Sequence, residues 1–316
     1  VLKNLKGLII IDEIQRMPDL FPYLRVHVDL YPNSRILILG SASPDLVRQS
    51  AESLSGRIGY IELTPFYSKE VGFSDTLWIR GGFPKSYLAA SDKASRIWLS
   101  QYIRTFLERD LNTIGFNIIP EEMRKLWIMI AHYHGNLVNY SELGRSLNLS
   151  DMTIRKYLHI LESTFMIRLL RPWHENISKR QIKNPKIYIR DSGIFHSLLG
   201  IKPPDLIAHP KLGASWEGFA LEEITRLYQL EKEDCYFWRT HDGAELDLLI
   251  YKEGKKIGFE FKYGHVVKVT PSMRIALDDL KCDKITVITP GADAYALHEK
   301  IYVQGIEGLV NTSPTP

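Results

Sequence analysis

The chain predicts an α/β fold built in three consecutive parts, and three observations carry that expectation. Gly7-Leu8-Ile9-Ile10-Ile11-Asp12-Glu13 and Arg35-Ile36-Leu37-Ile38-Leu39-Gly40 are continuous apolar runs, as in strands of a parallel sheet covered on both faces. Apolar residues then recur at helical spacing through the middle of the chain. Near the end, Ala244-Glu245-Leu246-Asp247-Leu248-Leu249-Ile250 and Gly258-Phe259-Glu260-Phe261-Lys262 read as strands whose acids share a face. The expected parts are residues 1–65, 66–200 and 201–316.

Composition sets the limits. With 316 residues, 45% hydrophobic and 24% charged, the chain can bury more than one core. A formal net charge of +3 is too small to imply nucleic acid by itself. Cys235 and Cys282 have neither metal-type spacing nor a disulfide framework, so a reducing cytoplasm is expected. No apolar run approaches the ~18 residues of a spanning helix, so no membrane partner is expected. The chain opens on Val1 rather than methionine, and a preceding segment is expected.

In the first part, Asp12 and Glu13 close the first apolar run, at the strand end where open α/β sheets bind ligands. This resembles a Walker B motif, which implies that Asp12 holds Mg²⁺ and Glu13 polarises the attacking water. The alternative is a buried strand with ordinary acids at its exit. A helix is expected over 21–30. The second strand ends at Ser41-Ala42-Ser43, and Ser41 resembles the sensor position of AAA-type ATPases. Arg57, in Ser55-Gly56-Arg57, either faces a phosphate as an arginine finger, caps a helix or pairs with Glu62. The sequence contains no G-x-x-x-x-G-K-[ST] loop. The chain as given is therefore expected not to hydrolyse ATP, which becomes a cofactor only if a preceding segment supplies that loop.

The middle part reads as helical over 66–131, broken at Gly81-Gly82-Phe83-Pro84. Helices are expected over 97–111 and 120–134, and Arg104, Glu108, Arg109 and Asp110 are expected to form an ion-paired face. From Asn139 the pattern becomes a helix-turn-helix. A short helix over 141–147 is followed by the turn Asn148-Leu149-Ser150 and a second helix capped by Ser150 or Asp151. Strands at 166–170 and 186–190 would form a wing. Arg155 and Lys156 fall on the exposed side of the second helix. Between 165 and 190, Arg168, Arg171, Lys179, Arg180, Lys183, Lys186 and Arg190 stand against one acid, Glu175, with Trp173 and His174 interleaved. Such a stretch suits phosphate contacts, though a winged helix can equally dock protein. His174 has no second histidine at ligand spacing.

In the last part, Asp247, Glu260 and Lys262 place two carboxylates and an amine on neighbouring strands. Oxygen ligands of that kind suit Mg²⁺ or Mn²⁺ and a phosphodiester substrate. A helix is expected over 272–280 and a strand over 284–288, with the tail at 312–314 frayed.

Asp247 with Glu260-Phe261-Lys262 resembles the core motif of the PD-(D/E)XK, restriction-endonuclease-like fold. Glu217, in Ser215-Trp216-Glu217-Gly218-Phe219, matches the acid that fold often carries on its first helix. The resemblance implies that Asp247 and Glu260 hold the metal, that Lys262 orients the water or stabilises the pentavalent phosphate, and that Glu217 supports the metal shell. Arg155, Lys156, Arg171, Lys179, Arg180 and Arg239 are the candidate nucleic-acid contacts, and DNA is the expected partner. Almost end to end, the chain is similar to a prokaryotic family of ATP-binding proteins. Its members combine an AAA-type ATPase domain, a winged-helix region and a C-terminal domain of unknown function. The residues that carry this resemblance are Ile11-Asp12-Glu13-Ile14-Gln15, Gly40-Ser41, Gly56-Arg57, Arg190-Asp191-Ser192-Gly193, Gly213 with Trp216-Glu217-Gly218-Phe219, Trp238-Arg239-Thr240, Ala244-Glu245-Leu246-Asp247 and Glu260-Phe261-Lys262. It implies a partial AAA-type parallel sheet, a helical plus winged-helix middle and a C-terminal nuclease-like α/β domain. Two functions are open: a nucleic-acid-associated ATPase with a metal-dependent nuclease domain, or an ATP-switched regulatory protein with an inactive nuclease fold as platform. Arginine fingers of this kind often act across subunits, which leaves a homo-oligomer open.

Overall fold

The computed structural model describes residues 7–40, 50, 52–264 and 266–311. Ser41 therefore lies outside the described residues. The fold is mixed α/β, with a parallel pair of strands at the start and a nine-stranded mixed sheet beyond it.

Strands β1 (Leu8–Ile11) and β2 (Arg35–Ile38) run parallel in register, Leu8 opposite Arg35 and Ile11 opposite Ile38. Helix α1 (Leu20–Leu30) connects them and covers one face through Phe21 and Leu24, which pack with Ile14, Leu54, Ile36 and Ile38. The expectation that both strands are covered on both faces is corrected. Leu8 and Ile10 are more than half exposed, and burial alternates along each strand. Among the described residues α1, the turn at Ile14 and the segment around Leu54 and Ile58 cover this pair, so a run without alternation meets a one-sided environment.

The middle begins with short helical turns at Ser68–Val71, Asp75–Arg80 and Pro84–Tyr87. Helix α2 (Asp92–Thr105) starts at Ser91, whose hydroxyl accepts from the Ala94 amide. It continues as a π-helical turn over Phe106–Asp110, which the helical periodicity did not reveal. There Arg104 pairs with Glu108 at 3.0 Å and Arg109 with Asp110 at 2.9 Å, so the expected ion-paired face is present. Helix α3 (Pro120–Tyr133) has proline in its first turn and leads to the short strand β3 (Asn136–Leu137).

Helices α4 (Tyr140–Leu147) and α5 (Asp151–Ser163) follow, with Asn148 in the left-handed region between them. Ser150, rather than Asp151, caps α5 by accepting from the Thr153 amide. Strands β4 (Ile167–Pro172) and β5 (Lys186–Ile189) pair antiparallel, and β3 adds to the far side of β5. The helix pair and the two expected strands thus occur where their periodicities placed them.

Helix α6 (Ser192–Leu199) is capped by Asp191, whose carboxylate accepts from the amides of Ile194 and Gly82 at 2.9 Å each. This joins Arg190-Asp191-Ser192-Gly193 to the Gly81-Gly82 break. A Cβ on Gly193 would collide with the Arg80 carbonyl, and one on Gly82 with the Phe66 carbonyl. The helix break and the Arg190–Gly193 stretch are therefore two halves of one close backbone contact.

Helix α7 (Leu212–Leu227) precedes β6 (Cys235–Arg239), β7 (Glu245–Lys252) and β8 (Lys255–Phe261), an antiparallel meander. Helix α8 (Pro271–Leu280) crosses to β9 (Lys284–Thr289), parallel to β8, and β11 (Ile301–Gly305) pairs parallel to β9 with β10 (Ala294–His298) outside it. The strand order is β10-β11-β9-β8-β7-β6-β4-β5-β3. The link between the two parts is the parallel pairing of Arg171 and Pro172 of β4 with Tyr236 and Phe237 of β6. One sheet therefore runs through residue 200, and one core joins Trp127, Leu158, Tyr188 and Phe195 to Trp216, Phe237 and Phe259. A second core under α8 holds Trp238, Leu246, Met273 and Ile285.

The backbone contact at Gly193 makes a direct prediction. Gly193→Ala should cost about 1–3 kcal/mol, the usual range for forcing a methyl into filled space. Gly213→Ala, with open space around its Cβ position, should be neutral or slightly stabilising. Urea denaturation of the two variants distinguishes them, and equal midpoints would refute the contact's importance.

Candidate active site

The four acids and bases singled out in the last part come together, and a residue from the middle part joins them. Glu217 projects from α7, Asp247 from β7 and Glu260 from β8, with Lys262 just past the end of β8. Lys262 Nζ lies 2.8 Å from Glu260 Oε2 and 3.8 Å from Asp247 Oδ2. The Phe261 amide donates to Asp247 Oδ2 at 3.1 Å, which holds that carboxylate against β8. Asp247 and Glu260 are 7% and 5% exposed, whereas the Lys262 side chain is 45% exposed. Lys262 is thus the member that reaches solvent.

The joining residue is Lys186 of β5. Its ammonium lies 3.3 Å from Glu217 Oε1 and 3.5 Å from Asp247 Oδ1, and it also pairs with Glu245 Oε1. The Lys186 side chain is only 3% exposed. Tyr188, two residues on and therefore on the same face of β5, donates its hydroxyl to Glu217 Oε1 at 2.6 Å. Arg239 of β6 closes the group, 3.4 Å from Glu245 Oε2.

Electrostatics follow from this count. Glu217, Glu245, Asp247 and Glu260 face Lys186, Lys262 and Arg239, so four carboxylates share three cations. Even with Lys262 beside it, Glu260 is perturbed. Burial and the neighbouring Asp247 charge raise its pKa from 4.5 to about 8, against the opposing pull of Lys262 and Lys186. Glu217 is also raised, by burial first and by Asp247, although Lys186 and Tyr188 oppose the shift. For Lys186 burial works against the charge, but the surrounding Tyr188, Glu217, Asp247 and Glu245 outweigh it and keep the ammonium protonated. Lys262 behaves likewise through Asp247 and Glu260.

For a divalent cation this donor set offers two hard carboxylates, Asp247 and Glu260, of which Glu260 has its pKa raised by burial and by the Asp247 charge. Mg²⁺ is commonly held by one or two carboxylates together with substrate phosphate. No group of three His, Cys, Asp or Glu side chains among the described residues is arranged to hold a metal. Glu217 is turned to Lys186 and Tyr188 instead, so the residues suit a two-carboxylate site completed by water and phosphate.

The remaining sequence candidates lie elsewhere. Asp12 and Glu13 are exposed at the carboxyl end of β1; Asp12 Oδ1 accepts from the Glu13 amide and Glu13 from the Gln15 side chain. Arg57 is held in a bidentate pair by Asp29, at 2.6 and 3.1 Å, and not by Glu62. Glu62 instead pairs with Arg190 at 2.7 Å. Arg155 stacks 3.7 Å above the Tyr140 ring, and Lys156 donates to the Asn117 carbonyl. Lys179 pairs with Asp279 at 2.7 Å, while Arg171 and Arg180 are exposed.

The basic stretch between 165 and 190 is therefore not one surface. Arg168 and Arg190 turn inward to Glu222 of α7, at 2.5 and 3.1 Å, and Arg226 approaches the same carboxylate at 3.7 Å. Three guanidinium groups overcome burial and hold the Glu222 carboxyl far below the usual carboxylate range. Lys186 and Tyr188 are the residues that sequence reasoning missed as site members. The signal was the placement of a lysine and a tyrosine two apart in a short strand, which puts both on one buried face.

With this geometry in place, comparison with known proteins identifies the family. A family model described as an AAA domain matches residues 1–72, and two described as domains of unknown function, DUF8612 and DUF4143, match residues 74–205 and 212–309. Uncharacterized protein Rv2008c of Mycobacterium tuberculosis is 47% identical over 318 residues, covering 98% of this chain and 71% of the relative. The chain belongs to this AAA-type family. Uncharacterized protein Mb2031c of Mycobacterium bovis matches to the same extent, and uncharacterized protein MJ1544 of Methanocaldococcus jannaschii is 23% identical over 344 residues, 99% of this chain and 74% of the relative. No solved structure matches. No helix among the described residues of this AAA-type protein is long and apolar enough to cross a membrane.

Two predictions follow from the charge arrangement. Lys186→Met leaves Glu217, Glu245 and Asp247 without their shared cation, and should cost about 3–5 kcal/mol in urea unfolding, as for other broken buried pairs. The second concerns pH. The folded state raises the pKa of Glu260, and in the same direction those of Glu217, Asp191 and Glu223, mainly through burial. A group with a raised folded pKa binds protons more tightly when folded, so its stabilisation is complete below its unfolded value and is lost as pH rises. For Glu260 the window runs from 4.5 to about 8. His134 and His196, buried and with pKa values lowered to about 3 and about 4, act in the opposite sense as pH rises toward 6.5. The Glu260 effect is therefore read as a difference: the melting temperature of the metal-free wild type relative to that of Glu260→Gln should fall from the bottom of that window to the top. A difference that rises across the window would contradict the assignment.

Proposed function

We propose that this AAA-type protein carries, in its C-terminal part, a divalent-metal-dependent site for cleaving phosphodiester bonds in nucleic acid. The observation that supports this most is the placement of Lys262, half-exposed, between the two buried carboxylates Asp247 and Glu260. Asp247 and Glu260 would hold Mg²⁺ or Mn²⁺. When bound, such an ion supplies Lewis-acid stabilisation of phosphate charge and lowers the pKa of water. Lys262 reaches solvent from the same point, so its ammonium can orient the attacking water or meet the phosphate oxygens. Lys186 cannot do so, because it is enclosed by carboxylates; its part is to neutralise Glu217 and Glu245 and fix Asp247. Glu217 thereby supports the site through Lys186. Arg239, a third exposed and only loosely paired with Glu245, is placed to contact a neighbouring phosphate. At the other end of the chain, Asp12 and Glu13 would act as the Walker B-like pair of the AAA domain, with Asp12 toward Mg²⁺ and Glu13 toward water.

A second reading is favoured by a specific observation. Lys186 sits where a third carboxylate would otherwise be free to join a metal shell, and no three-ligand group is present among the described residues. The C-terminal part would then be an inactive nuclease-like platform that binds a partner and responds to the nucleotide state of the AAA domain.

The deciding experiment is cleavage of plasmid and single-stranded DNA in Mn²⁺ by the wild type, Asp247→Ala and Lys262→Ala. The first reading expects activity lost in Asp247→Ala and reduced about 10²–10⁴-fold in Lys262→Ala. Cleavage surviving both changes would mean that the site is misassigned. A wild type that neither cleaves nor shows a Mn²⁺-dependent shift in melting temperature would favour the platform.

A further inference from the structure

Strand periodicity divides the basic residues of the middle part between two faces of the sheet. Arg168, Lys186, Tyr188 and Arg190 point toward α7 and are consumed by Glu217, Glu222, Glu245 and Glu62. Leu169, Arg171 and Pro185 lie on the opposite face, where they line a cleft of about 370 Å³ with Tyr140, Glu162, Pro172, His174 and Lys183. That volume falls within the range of specific ligand sites.

The charge of this cleft is unspent. Arg171, His174 and Lys183 are exposed and make no ion pair or side-chain hydrogen bond among the described residues. The one acid lining the cleft, Glu162, is paired with Lys232 at 2.6 Å. Tyr140, at the cleft wall, carries the Arg155 guanidinium stacked 3.7 Å from its ring centre. A concave site with two free permanent cations, an imidazole and a cation-capped aromatic ring has the chemistry of a sugar-phosphate channel, in which cations track phosphates and flat groups meet bases. Its size suits one strand rather than a duplex.

We propose that this cleft binds the backbone of single-stranded nucleic acid, with Arg171 and Lys183 on phosphates and His174 and the Arg155–Tyr140 pair beside the bases. The proposal rests on the nucleic-acid reading above but not on catalysis, since the cleft and the contacts of Lys186 lie on opposite faces of β5. It brings in His174, Lys183 and Tyr140, and assigns Arg171 and Arg155 a shared site.

The test is fluorescence anisotropy of the full chain with a short labelled single-stranded oligonucleotide over a range of salt. The variants are Arg171→Glu with Lys183→Glu, and the same charge change at the exposed Lys69 and Lys85 as control. The cleft variant should bind at least about tenfold more weakly, and its slope of log affinity against log salt should fall by about 1.4, two phosphate contacts at ~0.7 each. Its melting temperature should match the wild type, because both side chains are exposed and unpaired. Equal loss in the control, undiminished binding by the cleft variant, or no binding by the wild type would each overturn the proposal. So would binding of a free mononucleotide, sensitive to the cleft variant, without binding of the oligonucleotide. Absence of cleavage with cleft-dependent binding intact would instead count against the metal-site reading alone.

Discussion

The Lys186 ammonium is the point on which the C-terminal half of the molecule depends. It belongs to β5 of the middle part, yet its partners are Glu217 of α7 and Glu245 and Asp247 of β7. Enclosing a lysine costs several kcal/mol unless nearby carboxylates and hydrogen bonds replace its water. Here three carboxylates do so, and they are in turn made tolerable by the lysine. Neither side of the pairing can be assembled without the other, so the site exists only when the two parts of the chain are docked. The same dependence appears in the sheet, where β4 of the middle part pairs with β6.

Helix α7 is the element through which this docking is organised. Glu217 meets Lys186 and Tyr188, Glu222 collects Arg168, Arg190 and Arg226, and Glu223 accepts from the backbone and hydroxyl of Ser68. Between these acids, Trp216 and Phe219 pack against Trp78 and Phe73. A helix with two carboxylates buried as deeply as Glu222 and Glu223 is unusual in a protein core, and each one here has its own donors. Buried ionic contacts of this sort contribute little net stability, since desolvation offsets attraction. Their directional demands nevertheless specify which strand and which loop can pack on α7.

Sequence and structure agree at some residues and part at others. Asp247, Glu260 and Lys262 were legible because strand alternation and short separation put them together by local geometry alone. The helix pair α4–α5 was legible from its caps and apolar spacing, with Asn148 and Ser150 marking the turn. The basic stretch was misleading. Counted along the chain, Arg168, Lys186 and Arg190 look like one charged surface with Arg171 and Lys183. Their division between an interior and a cleft depends on acids of α7, β7 and the residue 62 region, far away in sequence. The one-sided burial of β1 was likewise invisible, because an apolar run states what a strand tolerates and not what covers it.

The sequence by itself therefore determined the local elements, their order, the carboxylate–lysine grouping of β7 and β8, and the AAA-type character of the first segment. These follow from periodicity, capping and motif spacing, which act over a few residues. Only the tertiary structure decided that Lys186 joins that grouping, that Glu217 is turned to a lysine and a tyrosine, and that Arg57 belongs to Asp29. It also decided which cations remain free in the cleft. The physical reason is that charge pairing inside a protein is set by proximity through space and by desolvation, and neither is encoded within the window in which a strand or helix can be read.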